Sequence, residues 1–260
     1  MQVKDITADE IVDVLLSMGD DAQRDILMRF FKTGKGEYGE GDKFMGVKVP
    51  DVRLVIKEAK LKVTQDEIAR LLMSEWHEAR LAGFFLLVEE MKAAIPKGRE
   101  EATAHAERRE EIARFYLRYA HRANNWDLVD MSCPKILGKW LLYPGADGRL
   151  PDRAVLYRLA ESSNLWEQRI AMVTCWMLIR ADQYDDALRL AEILMPHPHD
   201  LIHKAVGWML REVGKRDICV LEDYLDTHGR EMHRTTLRYA IEKMAPDRRQ
   251  HYLTQTRTKS

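Results

Sequence analysis

Apolar residues recur at spacings of three and four along nearly the whole chain, over residues 8 to 18, 21 to 32, 50 to 60, 65 to 73, 76 to 94 and 101 to 119. Such spacing gathers them on one face of a helix, and the strict alternation of a half-buried strand is absent. The pattern continues at 125 to 131, 134 to 142, 151 to 161, 165 to 181, 183 to 194, 199 to 215, 217 to 228, 233 to 244 and 246 to 254. Pro144-Gly145, Pro196-His197-Pro198 and His228-Gly229 punctuate the breaks, so an all-α chain is predicted. One long irregular stretch interrupts it, KTGKGEYGEGDKFMGVKVP at residues 32 to 50, and a loop of that length in a compact helical protein is usually functional or mobile.

The helices also repeat. Aligning QRIAMVTCWML (168 to 178), HKAVGWMLREV (203 to 213) and LRYAIEKM (237 to 244) places Arg169, Lys204 and Arg238 in register, with steps of 35 and 34 residues. EARLAGFFLLV (78 to 88) adds Arg80, 89 residues before Arg169, which fits two longer repeats between them. A period of this size with two helices per unit predicts an α-solenoid of HEAT/armadillo-like helical repeats. It is read as a single domain over residues 1 to 260, with the irregular Gly/Lys-rich loop at 32 to 49. One helix of each pair would line a concave groove, and a cation recurring once per unit would draw a basic, DNA-binding track along it. The competing expectation is that each of these cations closes a local ion pair.

Total charge does not announce a nucleic-acid partner, because 41 basic residues meet 42 acidic ones for a net charge of −1. Any basic footprint must be local. Cys133, Cys175 and Cys219 form no close pair of metal-ligand or redox type, which fits a reducing compartment and free, mostly packed thiols. The start, MQVKDITADEIVDVLLSMG, lacks a basic segment followed by an apolar run, and no stretch approaches a membrane span. A soluble cytoplasmic protein is expected.

Three helices carry the candidate chemistry. In HDLIHKAVGWMLREVGK (199 to 215), Lys204, Trp208, Arg211 and Lys215 share one face, opposite Ile202, Val206, Met209, Leu210 and Val213. An indole set among cations and away from the apolar stripe suits phosphates and sugar, but it also suits a tryptophan packed on Lys and Arg stems or covered by a neighbouring helix. In NNWDLVDMSCPKILGKW (124 to 140), Trp126 and Asp130 stand one turn apart, with Leu128 and Met131 opposite as anchors and Asn124 or Asn125 as cap. A core tryptophan and a carboxylate paired with a nearby cation would give the same pattern. Helix 165 to 181 is apolar nearly all round with Arg169 set into it, so its guanidinium needs a carboxylate such as Asp130 or a phosphate.

Other features point elsewhere. His197, His199 and His203 have metal-compatible spacing, but the prolines mark a turn and no cysteine or carboxylate cluster completes a site, so no metal is expected. The charge mixture over 98 to 118 reads as a solvated helix face. The glycine-rich loop 33 to 47 has no Gly-Lys-Ser/Thr ending and follows no strand, which argues against a nucleotide phosphate loop.

The strings MGVKVPDVR (45 to 53), NNWDLVD (124 to 130), NLWEQRIAMV (164 to 173) and KAVGWMLREVGK (204 to 215) resemble the DNA alkylation repair proteins, the AlkD-like DNA glycosylases built from HEAT-like repeats. The resemblance runs over most of the chain in the same order. It implies excision of positively charged N3- and N7-alkylated purines from double-stranded DNA, by a monomer with no cofactor. By motif, Trp126, Asp130, Arg169 and Trp208 take the catalytic positions, and Lys204, Arg211, Lys215, Arg238 and Arg80 would hold phosphates. A cationic base is already a good leaving group, so no general acid is required. The resemblance further implies action from the backbone side while the lesion stays stacked, unlike enzymes that extrude the base. A non-catalytic DNA-binding repeat protein and a protein-interaction scaffold are the alternatives.

Overall fold

The computed structural model describes residues 5 to 98 and 102 to 255. Fourteen α-helices account for the regular structure among them, apart from short 3₁₀ and π turns and one isolated bridge between Lys43 and Trp76. The chain divides into two compact units, residues 1 to 150 and 151 to 260, where the sequence suggested one continuous domain.

The first unit holds α1 (Ala8–Ser17), α2 (Asp21–Phe30), α3 (Val49–Ala59), α4 (Gln65–Met73), α5 (His77–Ala94), α6 (Ala106–Arg118) and α7 (Trp126–Cys133). Local chemistry starts several of them. Thr7 and Glu10 close a reciprocal capping box on α1, Asp20 accepts from the Gln23 N–H at 2.7 Å, and Thr64 accepts from that of Glu67 at 3.4 Å. The helix expected from residue 101 begins at Ala106, and residue 101 lies outside the described residues. Nor is the segment simply a solvated face, because Arg109 is buried. Its guanidinium donates to the carbonyls of Ala94 at 3.1 Å, Ala102 at 2.9 Å and Pro144 at 2.8 Å, as well as to Ala104. The helix does not stop at Pro134 either. A π turn at Pro134–Gly138 widens the spiral where proline supplies no N–H and crowds the preceding turn, and the chain runs on helically to residue 140.

Helix α5 is the hub of this unit, packing against α1, α3, α4, α6 and α7. It is apolar and buried on nearly every side, yet its first turn carries His77, Glu78 and Arg80, all buried. His77 lies between two carboxylates, with Nδ1 at 2.7 Å from Asp42 and Nε2 at 2.9 Å from Asp127. Burial alone would lower its pKa, but the charges and hydrogen bonds of Asp127 and Asp42 outweigh burial and raise it to about 9, so the ring is an imidazolium. Burial pushes the Asp42 carboxyl up, while His77 and Arg80 prevail and hold it below the usual carboxylate range. Phe44 stacks on the imidazole at 4.3 Å, and Phe31 lies against it at 5.1 Å.

The same turn fixes the irregular loop. The Glu78 carboxylate accepts the N–H groups of Met45 at 2.9 Å, Gly46 at 2.9 Å and Val47 at 3.1 Å, and the His77 N–H donates to the Lys43 carbonyl at 2.7 Å. Phe44, Met45 and Val47 are buried, so residues 42 to 47 form part of the core. Gly46 is required there, since its φ is +91° and a Cβ would sit 2.1 Å from the Asp20 carbonyl oxygen. Arg80 belongs to this assembly and not to a DNA-binding track. It is 2% exposed, pairs with Asp42 and donates to the carbonyls of Ser74 at 2.9 Å and Glu75 at 3.0 Å. A guanidinium so enclosed cannot receive a phosphate from outside, which corrects the assignment made from repeat spacing.

The second unit holds α8 (Ala154–Ala160), α9 (Leu165–Arg180), α10 (Asp185–Leu194), α11 (Asp200–Arg216), α12 (Ile218–His228), α13 (Arg234–Ala240) and α14 (Pro246–Gln255). Here the predicted repeat is plain. Helices α9, α11 and α13 pack one on the next, with α8, α10 and α12 alongside, in an arrangement of α-solenoid type. Asn164, His199 and Asp217 accept from backbone N–H groups at the starts of α9, α11 and α12. Contact between α11 and α13 is close at Gly207, where an added Cβ would come within 2.5 Å of both the Thr236 carbonyl oxygen and the Tyr239 Cβ. His203 stacks on His233 at 4.0 Å beside it.

Two stability outcomes follow. The folded pKa of His77, about 9, exceeds its unfolded value of 6.5, so its contribution is complete below about pH 6.5 and is lost as pH rises through 9. The wild type's stability against thermal unfolding should fall between pH 7 and 10 by on the order of 3 kcal/mol. His77→Leu, which strands the buried Asp127 and leaves Asp42 to Arg80 alone, should cost roughly 3 to 5 kcal/mol near neutrality and flatten that alkaline decline. Parallel pH profiles for the two proteins would refute the imidazolium. Separately, Gly207→Ala should destabilise the second unit by about 1 to 3 kcal/mol in denaturant titrations, because a backbone carbonyl stands where the methyl must go.

Candidate functional site

In the first unit the chemistry sits on α7. Asn125 caps the helix through its side-chain oxygen, 2.9 Å from the Trp126 N–H, while its amide nitrogen donates to the Phe31 carbonyl at 3.3 Å. Asp127 in the first turn is held by His77, and Leu128 and Val129 are buried, so the orientation of α7 is set from both sides. Met131, expected as an anchor, is instead only half-buried, and the Arg53 guanidinium approaches its sulfur at 3.9 Å. Ser132 takes the inward position, sharing a hydrogen bond of 3.0 Å with the Tyr116 hydroxyl. Burial, together with Cys133 and the Asp130 carboxylate, pushes that hydroxyl well up, so it stays protonated.

These anchors leave Trp126 and Asp130 half-exposed, one turn apart. The Trp126 indole packs on Phe31 at 5.3 Å and meets the edge of Phe30 at 5.7 Å, and Phe30 is itself 59% exposed. An indole face and a carboxylate so placed suit a positive charge that develops during a reaction.

In the second unit Arg169 of α9 is 5% exposed and donates to the Leu201 carbonyl at the start of α11, at 2.7 Å. Trp208 is half-buried on α11, and its Nε1 donates to Glu212 at 3.2 Å. Acidic residues also meet the cations of that face. Lys204 pairs with Asp200 at 2.8 Å, Lys215 with Glu212 at 2.7 Å, and Arg211 with Glu242, while Glu212 lies 3.8 Å from Arg211. Arg238 is exposed on α13. The expected basic face is thus laced with carboxylates. The spacing of Glu212, four residues after Trp208 and three before Lys215, carried that information.

The histidines of the 197 to 203 segment have local tasks. His197 bonds Gln168 at 2.9 Å, His199 caps α11, and His203 lies 3.3 Å from the Thr236 hydroxyl. Burial lowers the pKa of all three. Among the described residues, no group of three or more His, Cys, Asp or Glu is placed to hold a metal ion. Of the thiols, Cys133 and Cys175 are buried and Cys219 is exposed, and none of the three is joined in a disulfide. No helix among the described residues is long and apolar enough to cross a membrane.

A family model described as DNA alkylation repair enzyme matches residues 11 to 244. Among solved structures, a predicted DNA alkylation repair enzyme from Enterococcus faecalis is similar in fold, with a TM-score of 0.61 at 16% identity. The match covers 88% of this chain and 98% of that one. None of the curated proteins matches the chain.

The carboxylate lacing of α11 has a measurable consequence. Glu212→Gln removes the negative charge shared by Lys215 and Trp208 and unmasks cationic surface, so the variant should elute from immobilised heparin at higher salt than the wild type. Unchanged elution would mean that Glu212 does not mask this face.

Proposed function

Because the chain belongs to the DNA alkylation repair enzyme family, we propose that it is a DNA glycosylase that releases N3- and N7-alkylated purines from duplex DNA by hydrolysing the N-glycosidic bond. The observation that carries this reading is the pairing of a half-exposed indole and carboxylate, Trp126 and Asp130, on a helix whose first turn is locked by a buried ion network. Binding duplex DNA does not require that carboxylate. Hydrolysis of a glycosidic bond makes direct use of it.

An alkylated N7 or N3 makes the base cationic, so the electrons of the breaking C1′–N bond neutralise the departing purine without prior protonation. Positive charge moves onto the deoxyribose in an oxocarbenium-like transition state. Water adds to C1′ and loses a proton, leaving a free alkylated base and an abasic sugar. Asp130 is assigned stabilisation of that sugar charge and orientation of the water. A preorganised charged group contributes about 3 to 4 kcal/mol in such a role, against roughly 0.5 to 2 kcal/mol for each indole contact. Trp126 is assigned packing against the sugar beside Asp130, and Trp208, on its own unit, contact with the DNA strand. Lys204, Arg211, Lys215 and Arg238 are assigned contact with phosphates, while Arg169 holds the start of α11 through the Leu201 carbonyl. Reaction from the sugar side, with the lesion still stacked, accommodates bulky alkyl groups and discriminates against neutral lesions such as uracil.

Release of N7-methylguanine from methylated duplex DNA tests the reading. The wild type should release it, and Asp130→Asn should slow release by roughly 100- to 1,000-fold. Trp126→Ala should lower excision far more than affinity for undamaged duplex. DNA binding without release by the wild type would favour a non-catalytic binder, and equal release by Asp130→Asn would remove Asp130 from the chemistry.

A further inference from the structure

A second concentration of charge lies in the first unit, between α3 and α5. A cavity of about 270 Å³ opens there, with Ile56, Phe85 and Val88 against Arg53, Lys57, Lys60 and Lys92. Lys135 on the π turn stands near enough to feel both Arg53 and Glu89. Of the five cations, Lys60 and Lys92 share Glu89 at 3.8 and 3.6 Å, the one carboxylate of the lining. Among the described residues no carboxylate pairs with Arg53, Lys57 or Lys135. Burial, reinforced by the Arg53 guanidinium, lowers the proton affinity of Lys135 against the opposing pull of Glu89.

We propose that this cleft binds the sugar–phosphate backbone of duplex DNA, seating a stretch of strand that flanks the reacting nucleotide. The proposal rests on the DNA-directed function above and deepens it. Several positive charges spread over two helices and a turn suit successive phosphates, which repeat along a strand. The apolar surface of Ile56, Phe85 and Val88 points to the same ligand. A free inorganic anion has no use for that surface, whereas a deoxyribose between two phosphates does. Arg53 is held for the task, since its guanidinium lies over the Phe85 ring at 4.2 Å and reaches the Met131 sulfur at 3.9 Å. Met131 adjoins Asp130 in the chain, so the cleft and the candidate catalytic carboxylate share the α7 neighbourhood.

The test is the salt dependence of binding to undamaged duplex DNA, followed by fluorescence anisotropy. Each phosphate neutralised adds about 0.9 to the slope of log affinity against log salt. The double variant Lys57→Gln, Lys92→Gln should lower the slope by about two, and Arg53→Gln should lower it by about one, with thermal midpoints like the wild type's. Arg114→Glu on α6, at a side chain 77% exposed, makes the same net-charge change as the double variant and should leave the slope in place. A double variant with the wild-type slope, or a control that shifts equally, would overturn the cleft assignment while leaving the functional reading intact. Loss of inorganic pyrophosphate binding with duplex binding unaltered would make this a small-anion site, and would equally overturn it. A wild type that does not bind duplex DNA at all would overturn both.

Discussion

A single buried imidazolium organises the first unit. His77 is held between Asp42 and Asp127, residues 35 and 50 positions away in the chain. It ties three segments together: the irregular loop, the start of the hub helix and the first turn of α7. Charges buried this deeply are tolerated only when the whole set is present, because each alone carries a desolvation cost of several kcal/mol. Arg80 completes the set by joining Asp42, and Glu78 adds three backbone N–H groups from the loop. Within this group two cations face two carboxylates, with Glu78 matched by the loop's amide dipoles.

That arrangement decides what the loop can do. Nineteen residues without regular structure suggested a functional or mobile element, but Asp42, Phe44, Met45 and Val47 are buried against the start of α5. The loop therefore supports α7, and the orientation of Trp126 and Asp130 depends on a network that grips Asp127 in the same helix. Rigidity behind a reactive pair has a chemical use. A carboxylate stabilises developing charge best when it does not have to reorganise as the reaction proceeds.

The sequence carried the helices and, in the second unit, their period, because amphipathic spacing and repeat length are local properties. Arg169, Lys204 and Arg238 do sit on the successively packed helices α9, α11 and α13. Extending the register back to Arg80 failed for a physical reason. The helix around Arg80 is apolar nearly all round, as is the one around Arg169, and a cation in such a helix is more readily matched inside the protein than outside it. The pairing of His77 with Asp42 and Asp127 was not legible, since nothing local marks three residues that meet only when α5 is packed on two sides. The partners of Lys204, Lys215 and Trp208 were legible at helical spacing, whereas the Glu242 partner of Arg211 lies on another segment.

A chain with net charge −1 must solve the problem of meeting a polyanion, and its two units use different means. On α11 the cations are paired with carboxylates, so a phosphate gains from them only by displacing Asp200, Glu212 or Glu242. That exchange lowers the net attraction and makes it dependent on a close fit. In the α3–α5 cleft, among the described residues, no carboxylate lies within ion-pair distance of Arg53, Lys57 or Lys135, and attraction there acts at longer range. Unpaired charge favours encounter with any strand, and paired charge favours retention only where contact is tight. Under the proposed function, separating these two kinds of contact would keep general affinity low enough for movement along undamaged sequence.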